Sequence, residues 1–303
     1  MENSFDIVVD TSCDLPRDYI NEHNIEVLPI PFYLDDVEHS MGSWQEISDK
    51  EFYNALRNGS ASRTSQINPE TFVSVFTEYA KRGRAALFSI LSGGLSSTYQ
   101  NSVLALRDVK EAYPDCELYP IDSIGATSLS ALLTMLTVEK RAEGLSAGET
   151  AKWLEEKKQN VIGIFTVDDL MYLHRGGRLS KLSAVGGSML GIKPLLNIGS
   201  EGTLALRDKV RGREAALKTM VSQLKRSISA ETRLDTVYIT HSDCETDAIR
   251  LVEMLKDTVE LRRVVVEVMG PVIGAHLGPG ALTLVFEADM TREEYENKFY
   301  GGK

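Results

Sequence analysis

The chain has 303 residues, room for two domains of about 150 residues each. Its formal net charge of −11 argues against nucleic acid as the main partner and against a basic membrane-binding face. Three scattered cysteines, Cys13, Cys116 and Cys244, are too few for a disulfide framework or a zinc site, and they read as reduced thiols of a cytoplasmic protein. The first six residues lack the basic and apolar regions of a signal peptide, and no apolar run reaches transmembrane length, so no stable membrane insertion is expected.

In chain order, Phe5 to Val9 reads as a short strand ending at Asp10-Thr11-Ser12. Ser48-Asp49-Lys50-Glu51 has capping-box spacing and opens a helix that Gly59 stops. Asn68-Pro69-Glu70 sets a cap, a first-turn proline and an acid before a helix to about Arg82. A strand over Ala85–Leu91, a helix over Thr98–Ala112, a strand over Glu117–Ile121 and an apolar helix over Ser128–Glu143 follow, and Ser146 caps one more helix. Strands alternating with helices imply a parallel sheet. Val161–Val167 is the next strand. Helices are expected over Asp168–Leu173 and Leu179–Leu190, around a Gly-Gly-Arg break. Short strands near Leu195–Ile198 and Leu204–Arg207 flank the turn-rich Gly199-Ser200-Glu201-Gly202. Then come a helix over Arg213–Ile228, a strand over Thr236–Thr240, a helix over Glu245–Lys256 and strands over Arg263–Val268 and Leu282–Glu287. The expected fold is α/β in two parts: an N-terminal parallel-sheet, Rossmann-like domain over residues 1–159 and a C-terminal mixed-sheet α+β domain over 160–303.

Six segments could carry chemistry. Val268 to Gly280 places one histidine, His276, among four glycines and two prolines, which reads as a tight backbone path rather than a loose tip. Arg63-Thr64-Ser65-Gln66 precedes a capped helix, where amides and hydroxyls suit an anion. Ser92-Gly93-Gly94-Leu95-Ser96-Ser97-Thr98 joins a strand to a helix and can form a nest of amides, with hydroxyls on Ser96, Ser97 and Thr98. It lacks the P-loop lysine and a full G-x-G-x-x-G. Asp10 to Pro16 sits at a strand end, and capping or turn formation is the better reading than a metal there. His174-Arg175-Gly176-Gly177-Arg178 and Lys209-Val210-Arg211-Gly212-Arg213 are local cationic points in an acidic chain, suited to a phosphate, to an acidic partner surface, or simply to solvent. A metal site is not expected.

Taken together these segments resemble the DegV family of fatty-acid-binding proteins. The matching pieces run in order from residue 7 to residue 280: Ile7 to Pro16, Thr64-Ser65-Gln66, Gly94 to Gln100, Ile121-Asp122-Ser123, Tyr172 to Ser180 and Gly270 to Gly280. Ile67 departs from a frequent proline, and Gly93 and Ser97 from a more frequent serine and glycine. The resemblance implies a long-chain fatty acid as ligand, with no cofactor. The acyl tail would lie in an apolar tunnel and the carboxylate at the domain junction. It implies Thr64, Ser96 and His276, with Ser97 and Gly94 beside them, as the carboxylate-binding residues. It further implies that the chain is not an enzyme by itself but presents the carboxylate to a separate fatty acid kinase subunit, which makes acyl phosphate for phospholipid synthesis. Arg211 and Arg178 match positions for phosphotransfer or kinase docking. Val185 to Leu196 could line the tunnel or simply pack a core. The alternative is a self-sufficient enzyme, either a small-molecule kinase or an acyl hydrolase using Ser96 with His276. The missing P-loop and the missing G-x-S-x-G elbow count against it.

Overall fold

The protein is described here from a computed structural model covering residues 4–39, 47–178 and 191–301. In chain order the elements of the first half are β1 (Asp6–Asp10), α1 (Arg17–Glu22), β2 (Ile25–Leu28), β3 (Phe32–Leu34), β4 (Val37–His39), α2 (Asp49–Arg57), β5 (Ser62–Thr64), α3 (Pro69–Lys81), β6 (Ala86–Ile90), α4 (Thr98–Ala112), β7 (Leu118–Asp122), α5 (Ser128–Ala142) and α6 (Ala147–Lys157). The second half holds β8 (Val161–Thr166), α7 (Met171–Arg175), β9 (Ile192–Ile198), β10 (Leu204–Arg211), α8 (Arg213–Ser227), β11 (Leu234–His241), α9 (Glu245–Lys256), β12 (Leu261–Val268), α10 (Pro271–Leu277), β13 (Leu282–Glu287) and α11 (Arg292–Tyr300).

These elements form an α/β fold with a parallel sheet in the N-terminal region and a mixed sheet in the C-terminal region. The first sheet is parallel throughout, in the order β2-β1-β6-β7. The second has the order β10-β9-β8-β13-β11-β12, with only β11 and β12 paired in parallel. A small antiparallel sheet, β4-β3-β5, was not expected from the sequence. Its strands are three residues each, too short to show a periodicity. α1, β2 and α11 were missed for the same reason of short length or weak pattern.

The local signals were otherwise followed closely. Ser48 and Ser146 both close capping boxes with Glu51 and Glu149, and Asn68 Oδ1 accepts the Thr71 N–H at the start of α3. α5 packs between the two large sheets, touching β1 and β6 on one side and β8, β11 and β13 on the other. That position explains why its residues are nearly all buried, and why Thr134 and Thr137 turn their hydroxyls back onto the carbonyls of Ser130 and Leu133. β6 and β8 are buried along their whole length, as strands covered on both faces must be.

Two expectations need correction. The glycine- and proline-rich segment after β12 is not an extended turn: Pro271 to Leu277 is a helix, α10. Pro271 fills a first-turn position where no N–H is needed, and Gly278 ends the helix at φ 71°. The helix expected over Asp168–Leu173 begins later, at Met171, because Asp169 Oδ1 accepts the Met171 N–H and sets the start. The expected helix over Leu179–Leu190 lies outside the described residues.

The turn between β9 and β10 is pinned to the loop after β6. Ser92 is fully buried, its Oγ donates to Gly202 O at 2.8 Å, and it accepts the Gly94 N–H at 3.2 Å. Ser92→Ala leaves both partners without it. It is expected to destabilise the fold by about 1–3 kcal/mol, seen as a lower urea midpoint with an unchanged slope. An unchanged midpoint would show that water replaces the serine at no loss.

Candidate functional site

A narrow apolar cavity lies between the sheets, beside α5 and α10. Its walls include Ile30, Leu91, Leu129, Phe165, Val272 and Ile273, and with its mouth the space between atoms amounts to about 770 Å³. Polar side chains gather where it opens. Thr64, Ser65, Ser96 and Arg178 line both the cavity and a shallower polar space that also takes in Gln66, Gly93, Gly94 and Ser97. An apolar tube ending in a ring of hydroxyls and one guanidinium suits an amphiphile with an anionic head.

Each polar residue is held by the fold around it. Thr64 ends β5, opposite Phe32 of β3, and the next amide, Ser65 N–H, donates to Pro31 O. His276 sits in the last turn of α10. Asp14 Oδ1 accepts the Gly270 N–H at the start of that helix, and Ser242 Oγ donates to Gly278 O at its end. Tyr53 Oη donates to Met269 O just before it. This brings His276 Nε2 to 2.8 Å from Thr64 Oγ1. Gly176 packs against the same ring: a Cβ there would stand well inside van der Waals range of His276 Nδ1. The glycine in Arg-Gly-Gly-Arg is therefore a place for the imidazole, a contact invisible in the sequence.

Burial, with the nearby Arg178 charge adding to it, holds the His276 imidazole down to about 4. The ring is thus neutral near pH 7 and carries one N–H. Its Nδ1 is buried and has no hydrogen-bond partner among the described residues. An orphaned N–H is rarer than an orphaned acceptor, so the proton belongs on Nε2, donating to Thr64 Oγ1. The Thr64 hydroxyl proton is then free to turn into the cavity mouth, toward an acceptor.

The loop after β6 differs from the nest expected of it. Gly93 N–H donates to Asp122 Oδ1, Gly94 N–H to Ser92 Oγ, and the Leu95 and Ser96 amides to Ser92 O. These amides are spent inside the loop because it must also clasp the β9–β10 turn. Ser96 Oγ accepts the Thr98 N–H and lies 2.9 Å from Thr98 Oγ1, while Ser97, at the helix cap position, makes no side-chain cap bond. The hydroxyls remain at the mouth. Gly94 itself admits no side chain: a Cβ would meet Gly202 O at 2.6 Å. Thr64, not Ser96, is the hydroxyl at His276 Nε2, so the geometry does not assemble a Ser96–His276 nucleophile and base.

Arg178 donates from Nε to Leu95 O at 3.3 Å and from one Nη to Gly176 O at 2.5 Å, which lays its guanidinium across the mouth. Arg211 is not brought to this place. It is exposed at the end of β10, opposite Ile192, and lines neither space. The strand-end carboxylates are structural. Asp10 is buried and accepts from Ser12 N–H and Oγ and from Leu91 N–H, while Asp14 holds α10. Among the described residues no cluster of three or more His, Cys, Asp or Glu could hold a metal, and no helix is long and apolar enough to cross a membrane.

Of the run Val185 to Leu196, residues 185–190 lie outside the described residues. Leu195 and Leu196 pack in the core and do not line the cavity. The wall comes instead from Ile198, Leu204, α5, β8 and α10. Thr127, Ser128 and Thr283, which also line it, had no signal in the sequence: the first two are neighbours, Thr283 lies far from them along the chain, and all three are ordinary in their neighbourhoods.

Known proteins resemble this chain in sequence and fold over nearly its whole length. The family model described as uncharacterised proteins of the DegV family matches residues 4–289. A DegV domain-containing protein of Clostridium perfringens is 35% identical over 285 residues, covering 94% of this chain and 98% of that one. A structure of a DegV family protein from Thermus thermophilus, described by its fatty acid binding, superposes with a TM-score of 0.84 at 26% identity, over 94% of this chain and 99% of that one. DegV of Bacillus subtilis, described as a fatty acid binding protein, does so with a TM-score of 0.82 at 26% identity, over 95% of this chain and 100% of that one. On sequence and on fold alike, the chain belongs to the DegV family.

Proposed function

We propose that this protein binds a long-chain fatty acid. The acyl tail would fill the apolar cavity and the carboxylate would sit at its mouth on Thr64, Ser96 and His276, between domains 1–159 and 160–303. The observation that carries the reading is the junction of the two spaces, where an apolar tube meets hydroxyls, a neutral imidazole and Arg178. Related proteins described as fatty-acid binding support it. Each methylene removed from water contributes about 0.8 kcal/mol. A buried carboxylate without partners would be costly, and the Thr64, Ser96 and Ser97 hydroxyls answer that need.

The exposed position of the mouth fits a further step, presentation of the carboxylate to a separate kinase subunit that forms acyl phosphate. Arg178, at the mouth, would face the phosphoryl group or the partner. Arg211, on the surface at the end of β10, fits partner contact rather than ligand contact. Arg211→Ala is expected to spare lipid binding and to reduce coupling to the kinase, read as acyl hydroxamate trapped from ATP and fatty acid, whereas Arg178→Ala is expected to weaken both.

Mass spectrometry of an organic extract from natively purified protein tests the binding. The expected result is a near-stoichiometric long-chain fatty acid, reduced about tenfold in affinity by Thr64→Val or His276→Ala. An extract empty even after incubation with mixed fatty acids would overturn the reading.

A further inference from the structure

The second sheet ends in two edge strands, β10 and β12, and they are finished differently. β10 is broken by a shift in register between Leu206 and Asp208. At the edges of the first sheet, β2 has only four residues and β7 carries Pro120. Bulges, prolines and short lengths keep an edge from pairing with another chain. β12 has none of them: it is eight residues long, holds no proline, and follows β11 without a shift from Leu261 to Val268.

In a parallel pair, successive residues of a strand turn their backbone groups to opposite sides. Leu234 N–H donates to Glu260 O, so the even-numbered residues of β12 face β11. The N–H and C=O groups of Arg263, Val265 and Glu267 point to the free edge, where they meet no backbone partner among the described residues.

The side chains beside this edge are apolar on one face and charged on the other. Val264 and Val266 share a groove with Val252 and Lys256 of α9. Val266 and Val268 are 38% and 37% exposed, and Ile249, one turn before Val252 on α9, is 54% exposed. On the opposite face Glu267 is half-buried. Burial and the like charge of Asp49 raise its carboxyl, and no cation answers it among the described residues. Arg263 shares that face. Its Nε and one Nη donate to Thr236 Oγ1, and Glu139 is 3.8 Å away. Five guanidinium donors leave room for a further carboxylate.

We infer that β12 is a dimerisation edge, on which a second copy of this chain lays its own β12 antiparallel, about a two-fold axis at Val265. Val265 then exchanges backbone bonds with the partner subunit's Val265, and Arg263 with the partner subunit's Glu267. Charge decides this register. Centred on Arg263 or on Glu267, the strands set like charges against each other. Centred on Val264 or Val266, they set Glu267 against Leu261 or Val265. The Val265 axis alone sets both carboxylates opposite guanidinium groups, and it sets Val264 against Val266 on the apolar face. That self-complementarity favours a copy of the chain over a foreign strand. The inference is independent of lipid binding.

Sedimentation equilibrium of the full chain, over a micromolar to millimolar series, is the test. The wild type is expected to dimerise. Arg263→Glu and Glu267→Arg should each weaken the dimer about tenfold or more by setting like charges opposite, and the double exchange should restore it. Val266→Lys, at an exposed position that the monomer tolerates, should also weaken it and serves if a charge variant does not fold. A wild type that stays monomeric throughout would overturn the inference and leave the edge to another partner. A dimer that all three single variants leave intact would overturn it too, since a different face would then hold the copies together. So would a double exchange that binds no tighter than either single variant.

Discussion

Stability followed against pH is expected to separate Asp14→Asn and His276→Gln from the wild type in opposite directions. Burial pushes the Asp14 carboxyl up to about 7 from its ordinary 3.8, against the opposing bonds from Thr127 and Gly270. A group raised in the folded state stabilises fully below its unfolded value and loses that contribution as pH rises through the folded one. For Asp14 the window runs from about pH 4 to about pH 7 and is worth up to about 4 kcal/mol. His276, held down to about 4 from 6.5, behaves in the opposite way. Its contribution is present above about pH 6.5 and is lost as pH falls toward about 4, up to about 3 kcal/mol.

In the wild type the two slopes oppose each other between about pH 4 and 6.5. Asp14→Asn keeps an acceptor for the Gly270 N–H and removes one slope, so this variant should lose stability on acidification and be at least as stable as the wild type near pH 8. His276→Gln should instead gain stability on acidification relative to the wild type. Urea midpoints across the range measure both. Three parallel curves would mean that neither group titrates as its burial requires.

Gly176→Ala is expected to abolish most lipid binding without unfolding the protein. Its Cβ would intrude on His276 Nδ1 and lie 3.2 Å from Cε1. The ring cannot retreat without leaving Thr64, because α10 is held at both ends by Asp14 and Ser242. The expected result is a loss of affinity of about tenfold or more, with overpacking costing about 1–3 kcal/mol of stability. Gly177→Ala is the control. Gly177 has φ 71° and open space around its Cβ position, so alanine there strains the backbone but touches nothing. If both variants kept full lipid occupancy, the Thr64–His276 pair would not hold the head group.

Much of the fold could be read from residues near one another in the chain. Ser48 with Glu51, Asn68 with Pro69 and Ser146 with Glu149 announce helices because a cap is satisfied within one turn. Thr98–Ala112, Glu245–Lys256 and Leu282–Glu287 coincide with the observed elements for the same reason: their patterns are long enough to average out chance. The three-residue strands and the helix within the glycine-rich segment escaped because short elements are decided by what packs on them.

The candidate site divides in the same way. The sequence alone marked Thr64, Ser96, His276 and Arg178 as polar residues at element ends, and the motifs around them pointed to an anion. It could not pair them. The Thr64–His276 bond spans 212 residues, and the place made for the imidazole by Gly176 depends on a glycine a hundred residues away from His276. It also misread the amides of Gly93 to Ser96 as open, because their partners include Asp122 and, through Ser92, the Gly202 turn. The cavity wall, which takes Thr127 and Ser128 from one segment and Thr283 from another, exists only once α5 is closed between two sheets. Local chemistry is written in neighbouring residues, whereas a cavity arises where distant segments meet.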